Sequence, residues 1–120
     1  MKRRIVLIED DPDIAALVED MLVELGHRVE ICPDLPTGAI DAQADLVITD
    51  LLALRSYDPE AAREWIARVR AAFPGAAVIV STAHAPAAAA GGPALGADAV
   101  LSKPFDVDMF GQTVDSLLGT

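Results

Sequence analysis

The sequence predicts an α/β domain in which five parallel strands form one sheet with helices on both faces. Short apolar runs without polar alternation, typical of strands buried on both faces, recur along the chain. Segments with apolar residues at spacings of three and four, typical of amphipathic helices, separate them. Strands and helices that alternate in this way form parallel sheets through right-handed crossovers.

The composition is that of one folded domain. The chain has 120 residues, of which 52% are hydrophobic and 23% are charged, so we expect a single domain spanning residues 1–120. Its apolar runs are too short to cross a bilayer, and the basic N-terminus lacks the apolar stretch of a signal peptide. The single cysteine, Cys32, cannot form an internal disulfide. A cytoplasmic protein is the simplest expectation.

The formal net charge of −10 argues against a surface for nucleic acids, because phosphate binding needs a basic stripe. We therefore expect no direct nucleic-acid partner and no membrane partner. The acidity has two explanations, solubility and the holding of a divalent cation. Both contribute, since most acidic residues lie outside the cluster formed by Glu9, Asp10 and Asp11.

The first third of the chain predicts two strands around one helix. Residues 4–9 form the first strand, and Asp11 then caps a helix that has Pro12 at its first position. Gly26 ends this helix. The alternation from Arg28 to Cys32 predicts a half-exposed edge strand. The apolar stripe of the helix comprises Ile14, Leu17, Val18, Met21, Leu22 and Leu25.

The middle of the chain contains a short helix within residues 37–43 and a buried strand that ends at Asp50. Asp58 caps the next helix, which Pro74 and Gly75 stop. Glu64 and Arg68 are spaced for an ion pair on its outer side. Its buried stripe comprises Trp65, Ile66, Val69 and Phe73.

The last third predicts two strands and two helices. A strand over residues 77–81 is followed by a weak helix from Pro86 to Leu95, broken by glycines and a proline. A strand over residues 99–101 precedes Lys103, and Asp106 caps the last helix. The buried face of that helix comprises Val107, Phe110, Val114, Leu117 and Leu118.

Five chemically useful side chains follow the carboxyl ends of these strands. Because parallel strands end at the same edge, we expect them to converge on one rim. Three carboxylates without histidine or thiolate suit a hard cation, most simply Mg²⁺. A carboxylate beside a cation and a lysine can accept a phosphoryl group, which predicts an aspartyl phosphate. These side chains are Glu9, Asp10, Asp50, Thr82 and Lys103.

At these positions the chain resembles the CheY-like receiver domains of two-component response regulators. The strand that leads into Glu9-Asp10-Asp11 is similar to the family's first strand and acidic pair, and Asp45 to Asp50 is similar to the strand that ends in the phosphoacceptor. Ser81-Thr82-Ala83 and Lys103-Pro104-Phe105 resemble two further family motifs. The ordered set spans essentially the whole chain and is far more specific than any one motif.

The resemblance implies a flavodoxin-like sheet with strand order 2-1-3-4-5 and a role for each residue. Glu9, Asp10 and Asp50 would hold Mg²⁺ together with the backbone carbonyl of Leu52. Asp50 would take a phosphoryl group from a phosphohistidine of a sensor histidine kinase or a histidine phosphotransfer protein, while Thr82 and Lys103 would contact that group. The family also implies a cis peptide bond before Pro104.

The resemblance further implies a signalling domain that catalyses only its own phosphotransfer and dephosphorylation. A downstream protein would bind the face formed by the last helix and the helix from Pro86 to Leu95. One alternative is a receiver-like interaction module that signals without phosphate. Two departures favour it: the loop from Leu51 to Tyr57 lacks the family's proline and glycine, and Val100 replaces the usual aromatic residue.

Several single residues have simpler explanations. Asp11 is explained by helix capping, and Cys32 by apolar filling rather than thiol reactivity. His27, next to a helix end, is expected at the surface. His84 lies two residues after Thr82, and we hypothesise that His84 and Leu52 influence access of water to the aspartyl phosphate. An unchanged dephosphorylation rate in His84→Ala would refute that hypothesis.

Overall fold

The structure is a computed structural model, and it describes residues 4–32, 44–50, 58–82, 91, 96–102 and 107–118. The predicted helices within residues 37–43 and from Pro86 to Leu95 lie outside this part of the chain. So do the Asp106 cap and the Lys103–Pro104 peptide. The described elements are β1 (Arg4–Ile8), α1 (Pro12–Glu24), β2 (Arg28–Cys32), β3 (Leu46–Thr49), α2 (Pro59–Ala72), β4 (Ala77–Thr82), β5 (Ala99–Ser102) and α3 (Val107–Leu118).

The five strands form one parallel sheet in the order β2-β1-β3-β4-β5. The predicted fold class and strand order are confirmed, and β2 is the expected edge strand. Its side chains are mostly exposed or half-buried, whereas those of β3 are all buried. This contrast explains why β2 shows polar alternation in the sequence and β3 does not.

Helix α2 covers one face of the sheet. Ala62, Ile66 and Val69 of α2, with Phe73 at its C-cap, are buried against Val6, Ile8, Val47, Val78 and Val80 of the strands. Trp65 is half-buried at the border of this cluster. The predicted stripe of α2 is therefore confirmed, and it forms the core on this side of the sheet.

Helices α1 and α3 cover the opposite face. Each strand contributes alternate residues to this side, as the two-residue period of a strand requires. Ile5, Leu7, Leu46, Ile48 and Ile79 pack there with Ala15, Val18 and Leu22 of α1 and with Phe110, Val114 and Leu118 of α3. The sheet is thus enclosed between two helical layers. Because the side chains on its faces are packed under the helices, functional groups are expected at the ends of the strands.

Two of the three predicted aspartate caps, Asp11 and Asp58, lie among the described residues, and both are present. The Asp11 side chain accepts hydrogen bonds from the backbone N–H groups of Asp13, at 2.9 Å, and Ile14, at 3.3 Å. Asp58 accepts from the N–H groups of residues 60 and 61 in the same way. Each cap satisfies donors that the first turn of a helix leaves without partners.

The buried stripe predicted for α1 is partly wrong. Leu17 is 57% exposed and Leu25 is 43% exposed, whereas Ala15, Val18 and Leu22 are buried. Each residue turns a helix by about 100°, so a face centred on Ala15, Val18 and Leu22 directs Leu17 away from the sheet. Ala15 belongs to the buried face although its side chain is small, so the large apolar residues alone do not mark that face.

The predicted surface position of His27 is wrong, because its side chain is only 8% exposed. The helix ends in a Schellman motif: Gly26 adopts a φ of 91°, its N–H bonds to the carbonyl of Val23, and the His27 N–H bonds to the carbonyl of Leu22 at 3.1 Å. This motif turns the chain back over the end of the helix, where the residue after the glycine commonly contacts the last apolar turn. The motif therefore accounts for the burial of His27.

The predicted Glu64–Arg68 ion pair is also wrong. Ion pairs among the described residues join Arg4 to Glu30 and Arg70 to Asp98. Arg68 instead lies over the ring of Trp65, with its guanidinium carbon 5.3 Å from the ring centroid. An exposed ion pair on a helix contributes only a few tenths of a kcal/mol, so contact with an aromatic face readily competes with it.

Candidate functional site

Three carboxylates meet at the carboxyl edge of the sheet. One ligand oxygen each from Glu9, Asp10 and Asp50 lies within 4.8 Å of the other two. The sheet register produces this meeting, since Ile8 pairs with Thr49 and the acidic residues directly follow that pair. The convergence expected from the sequence is therefore present for these three side chains.

The backbone on both sides of this cluster is held by hydrogen bonds. The Asp50 N–H donates to the carbonyl of Ile8 at 3.0 Å, and the Glu9 N–H donates to the carbonyl of Cys32 at 3.0 Å. The ladder thus continues one residue past the last paired residues of β1 and β3. Two of the three carboxylates consequently project from rigid strand ends rather than from a loop.

The three carboxylates differ in their contact with solvent. Glu9 is 3% exposed, Asp50 is half-buried, and Asp10 is exposed. One oxygen of Glu9 also accepts a long hydrogen bond, 3.4 Å, from the N–H of Asp11. The cluster is therefore anchored at Glu9 and open at Asp10, which leaves room for water on one side.

These residues fit a Mg²⁺ ion. Mg²⁺ takes oxygen ligands at about 2.1 Å in an octahedron, so ligand oxygens lie roughly 3 Å apart when adjacent and about 4.2 Å apart when opposite. Carboxylate oxygens that are all within 4.8 Å need only a small contraction to reach that geometry. The open side at Asp10 suits an ion that keeps several of its waters. A cation also offsets the mutual repulsion of three neighbouring negative charges.

Thr82 lies at the same edge of the sheet. It is the last residue of β4, its side chain is fully buried, and it pairs with Ser102 of β5. Because β4 lies next to β3, the strand end that carries Thr82 neighbours the one that carries Asp50. Leu52, His84 and Lys103, and the loop from Leu51 to Tyr57, lie outside the described residues.

A pair of hydrogen-bonded residues next to Asp50 was not predicted from the sequence. The Thr49 hydroxyl donates to the backbone carbonyl of Asp50 at 2.8 Å and accepts from the indole N–H of Trp65 at 2.9 Å. Thr49 shares the α2 side of the sheet with Val47, two residues earlier, and this period is the signal that could have placed it opposite Trp65.

Val100 of β5 and Cys32 of β2 are two further residues that the sequence singles out. Val100 is half-buried and packs against the core cluster under α2, as an ordinary apolar residue does. Cys32 is also half-buried. Burial raises the pKa of the Cys32 thiol, and the carboxylate of Glu30 raises it further. Both causes disfavour the thiolate, which agrees with an apolar filling role for Cys32.

No protein-family model and no curated protein matches this sequence. Solved structures do match it. The receiver domain of a sensor histidine kinase from Pseudomonas aeruginosa, with a magnesium ion coordinated in its active-site cleft, superimposes with a TM-score of 0.71 at 22% identity over 100% of both chains.

Among the described residues no helix is long and apolar enough to cross a membrane.

Two response regulators are similar in the same way. One from Thermotoga maritima gives a TM-score of 0.78 at 19% identity, with 100% of both chains covered. A response regulator receiver protein from Burkholderia phymatum gives 0.70 at 25% identity, over 98% of this chain and 96% of that one. The sheet order and these superpositions agree, and the chain has the fold of the CheY-like receiver domains of response regulators.

Proposed function

We propose that this chain is a receiver domain that accepts a phosphoryl group on Asp50 and thereby switches the binding of a partner. One observation supports this proposal above all: the oxygens of Glu9, Asp10 and Asp50 lie within 4.8 Å of one another at the carboxyl edge of the sheet. The similar receiver domain from Pseudomonas aeruginosa coordinates magnesium in its cleft. A complete acidic set on this fold is what phosphoryl transfer to an aspartate requires.

The proposed metal ligands are Glu9, Asp10, Asp50 and the backbone carbonyl of Leu52. Bound Mg²⁺ supplies positive charge that stabilises the oxygens of the phosphoryl group during transfer. The buried Glu9 would anchor the site, because its backbone is tied to β2 and its carboxylate is shielded from water. On the side of the exposed Asp10, coordination positions of the ion would remain accessible to water.

In the proposed transfer, a carboxylate oxygen of Asp50 forms a bond to phosphorus while the bond between phosphorus and the donor's histidine nitrogen breaks. The electron pair of the broken bond stays on the imidazole, which takes up a proton from solvent. Thr82 donates its hydroxyl hydrogen to a phosphoryl oxygen, and the ammonium of Lys103 pairs with another. Water later attacks the aspartyl phosphate and releases inorganic phosphate.

The proposed donor is a sensor histidine kinase or a histidine phosphotransfer protein. The proposed downstream partner binds the face formed by the last helix and the segment from Pro86 to Leu95. In α3, Met109 is 56% exposed and offers this face an apolar contact. The domain would act in the cytoplasm and would catalyse only its own phosphorylation and dephosphorylation.

A second candidate function is an interaction module that signals without phosphate. The position of Val100 favours it, because a half-buried valine packed under α2 cannot act as the rotating aromatic residue that the family commonly uses. The acidic cluster favours the first candidate, since a module without phosphate chemistry has no need to keep three repelling carboxylates together.

Intact-protein mass spectrometry after incubation with acetyl phosphate tests the proposal. We expect an adduct of one phosphoryl group that requires Mg²⁺ and is absent in Asp50→Asn. Asp58→Asn, which changes an aspartate of the α2 cap, is the matched control and should still be modified. A folded wild-type protein that gains no adduct from acetyl phosphate or from a phosphorylated histidine phosphotransfer protein would favour the second candidate.

A further inference from the structure

A chain of hydrogen bonds joins helix α2 to the backbone of Asp50. The indole N–H of Trp65 donates to the Thr49 hydroxyl at 2.9 Å, and that hydroxyl donates to the Asp50 carbonyl at 2.8 Å. A threonine hydroxyl has one hydrogen, so once it is donated to Asp50 only the oxygen lone pairs remain to accept from Trp65. The two bonds therefore have one direction, from the indole to the carbonyl.

The surroundings of these two hydrogen bonds hold them rigidly. Thr49 is fully buried, and its backbone belongs to β3, the strand that pairs with both β1 and β4. The Trp65 ring is held between the core cluster under α2 and the guanidinium of Arg68, 5.3 Å from its centroid. A buried hydroxyl with a fixed donor and a fixed acceptor leaves the Asp50 carbonyl little freedom to rotate.

The need to pair a buried hydroxyl group does not by itself explain this arrangement of two hydrogen bonds. The bond to the Asp50 carbonyl already satisfies the Thr49 donor, and valine, which has nearly the same shape, would fill this fully buried position. The threonine instead ties the peptide that follows the acidic side chain to a helix on the other side of the sheet from α1. The hydrogen bond thereby fixes the backbone of the residue that carries the carboxylate.

We propose that Thr49 and Trp65 are positioning residues that hold Asp50 in the geometry for binding Mg²⁺, and that Trp65 reports occupancy of this site. This inference rests on the proposed function, because it takes Glu9, Asp10 and Asp50 as the Mg²⁺ ligands. Trp65 is the single tryptophan in the chain, so the tryptophan fluorescence of the protein comes from one end of the hydrogen-bond chain.

The test is a titration with Mg²⁺ followed by two measurements, Trp65 emission and isothermal calorimetry. The wild-type protein should show a saturable change in emission with the same dissociation constant as the calorimetric one. Thr49→Val should bind Mg²⁺ roughly twofold to tenfold more weakly, the effect of losing one or two neutral hydrogen bonds, and its emission change should shrink. Thr49→Ser, which keeps the hydroxyl, should restore both values.

Thr113→Val is the matched control. Its hydroxyl donates to the Met109 carbonyl within α3, so it loses the same group at a place remote from β3. Thr113→Val should show the same Mg²⁺ affinity and the same change in Trp65 emission as the wild type. Trp65→Phe is a second variant for the calorimetric arm, and it should weaken binding as Thr49→Val does.

The outcomes separate this inference from the proposed function. A wild-type protein that binds Mg²⁺ by calorimetry, with affinity unchanged in Thr49→Val and Trp65→Phe, overturns the positioning role alone. Emission that stays constant while Mg²⁺ binds overturns the reporting role. A folded wild-type protein that binds no Mg²⁺ overturns the inference together with the metal site on which it rests.

Discussion

Replacement of the buried imidazole by leucine, in His27→Leu, should stabilise the protein. His27 is 8% exposed, and neither ring nitrogen has a hydrogen-bond partner among the described residues. Native proteins pair nearly all buried polar groups, so an imidazole with two unpaired nitrogens is a destabilising feature. Leucine has a similar volume, has no polar atom, and keeps the backbone hydrogen bonds of the Schellman motif.

The magnitude follows from the unpaired groups. Leaving a buried donor or acceptor unsatisfied costs about 1 to 3 kcal/mol, and the two nitrogens share one small ring. Some packing is lost because leucine differs in shape from imidazole, by roughly 1 kcal/mol. The net gain should be about 1 to 2 kcal/mol in the free energy of unfolding. For a chain of this length that corresponds to a rise in Tm of about 4 to 8 °C.

Urea denaturation and thermal melting measure this change directly. His27→Asn is the matched control, since it keeps a polar group in the same place and should be less stable than the wild type. If His27→Leu were no more stable than the wild type, the imidazole would have to contribute favourable contacts that outweigh its unpaired nitrogens, and the reasoning would be refuted.

Three further predictions concern the caps, the core and the thiol. Asp58→Ala removes the acceptor of the α2 cap and should cost about 1 kcal/mol in urea denaturation while Mg²⁺ affinity stays unchanged; altered Mg²⁺ affinity would contradict the separation of cap and site. Phe110→Ala empties a core position that is 1% exposed and should cost about 3 to 5 kcal/mol, and a loss below about 1 kcal/mol would show that the core refills. Iodoacetamide should alkylate Cys32 more slowly than free cysteine at neutral pH, because the raised pKa keeps the thiol protonated, and an equal rate would contradict this assignment.

The fold was largely predictable from the sequence because its determinants are local. The buried strand at Leu46–Thr49 is apolar throughout, and the exposed edge strand at Arg28–Cys32 alternates. Asp11 and Asp58 mark helix starts, because aspartate is a favourable N-cap residue and the proline that follows each of them is favourable in the first turn. The meeting of Glu9, Asp10 and Asp50 also follows from topology alone, because each lies just beyond a parallel strand.

The errors arise where three-dimensional packing decides between locally equal alternatives. Leu17 and Val18 are both good core residues, and the orientation of α1 against the sheet buries Val18 and exposes Leu17. Arg68 has an acidic neighbour and an aromatic neighbour on the same helix, and side-chain geometry favours the ring. His27 was misplaced because its burial depends on the φ of the preceding glycine rather than on its own polarity.

Under the proposed function, the environment of Asp50 connects the site of phosphorylation to helix α2. The Asp50 N–H is bonded to the Ile8 carbonyl of β1, within the sheet, and its carbonyl is bonded through Thr49 to Trp65 of α2. The backbone of a single residue is therefore tied to a neighbouring strand and to a helix. A new phosphoryl group on Asp50 would shift that backbone against α2. A change of a few atoms at the rim would then reach the surface of this helix without any rearrangement of the core.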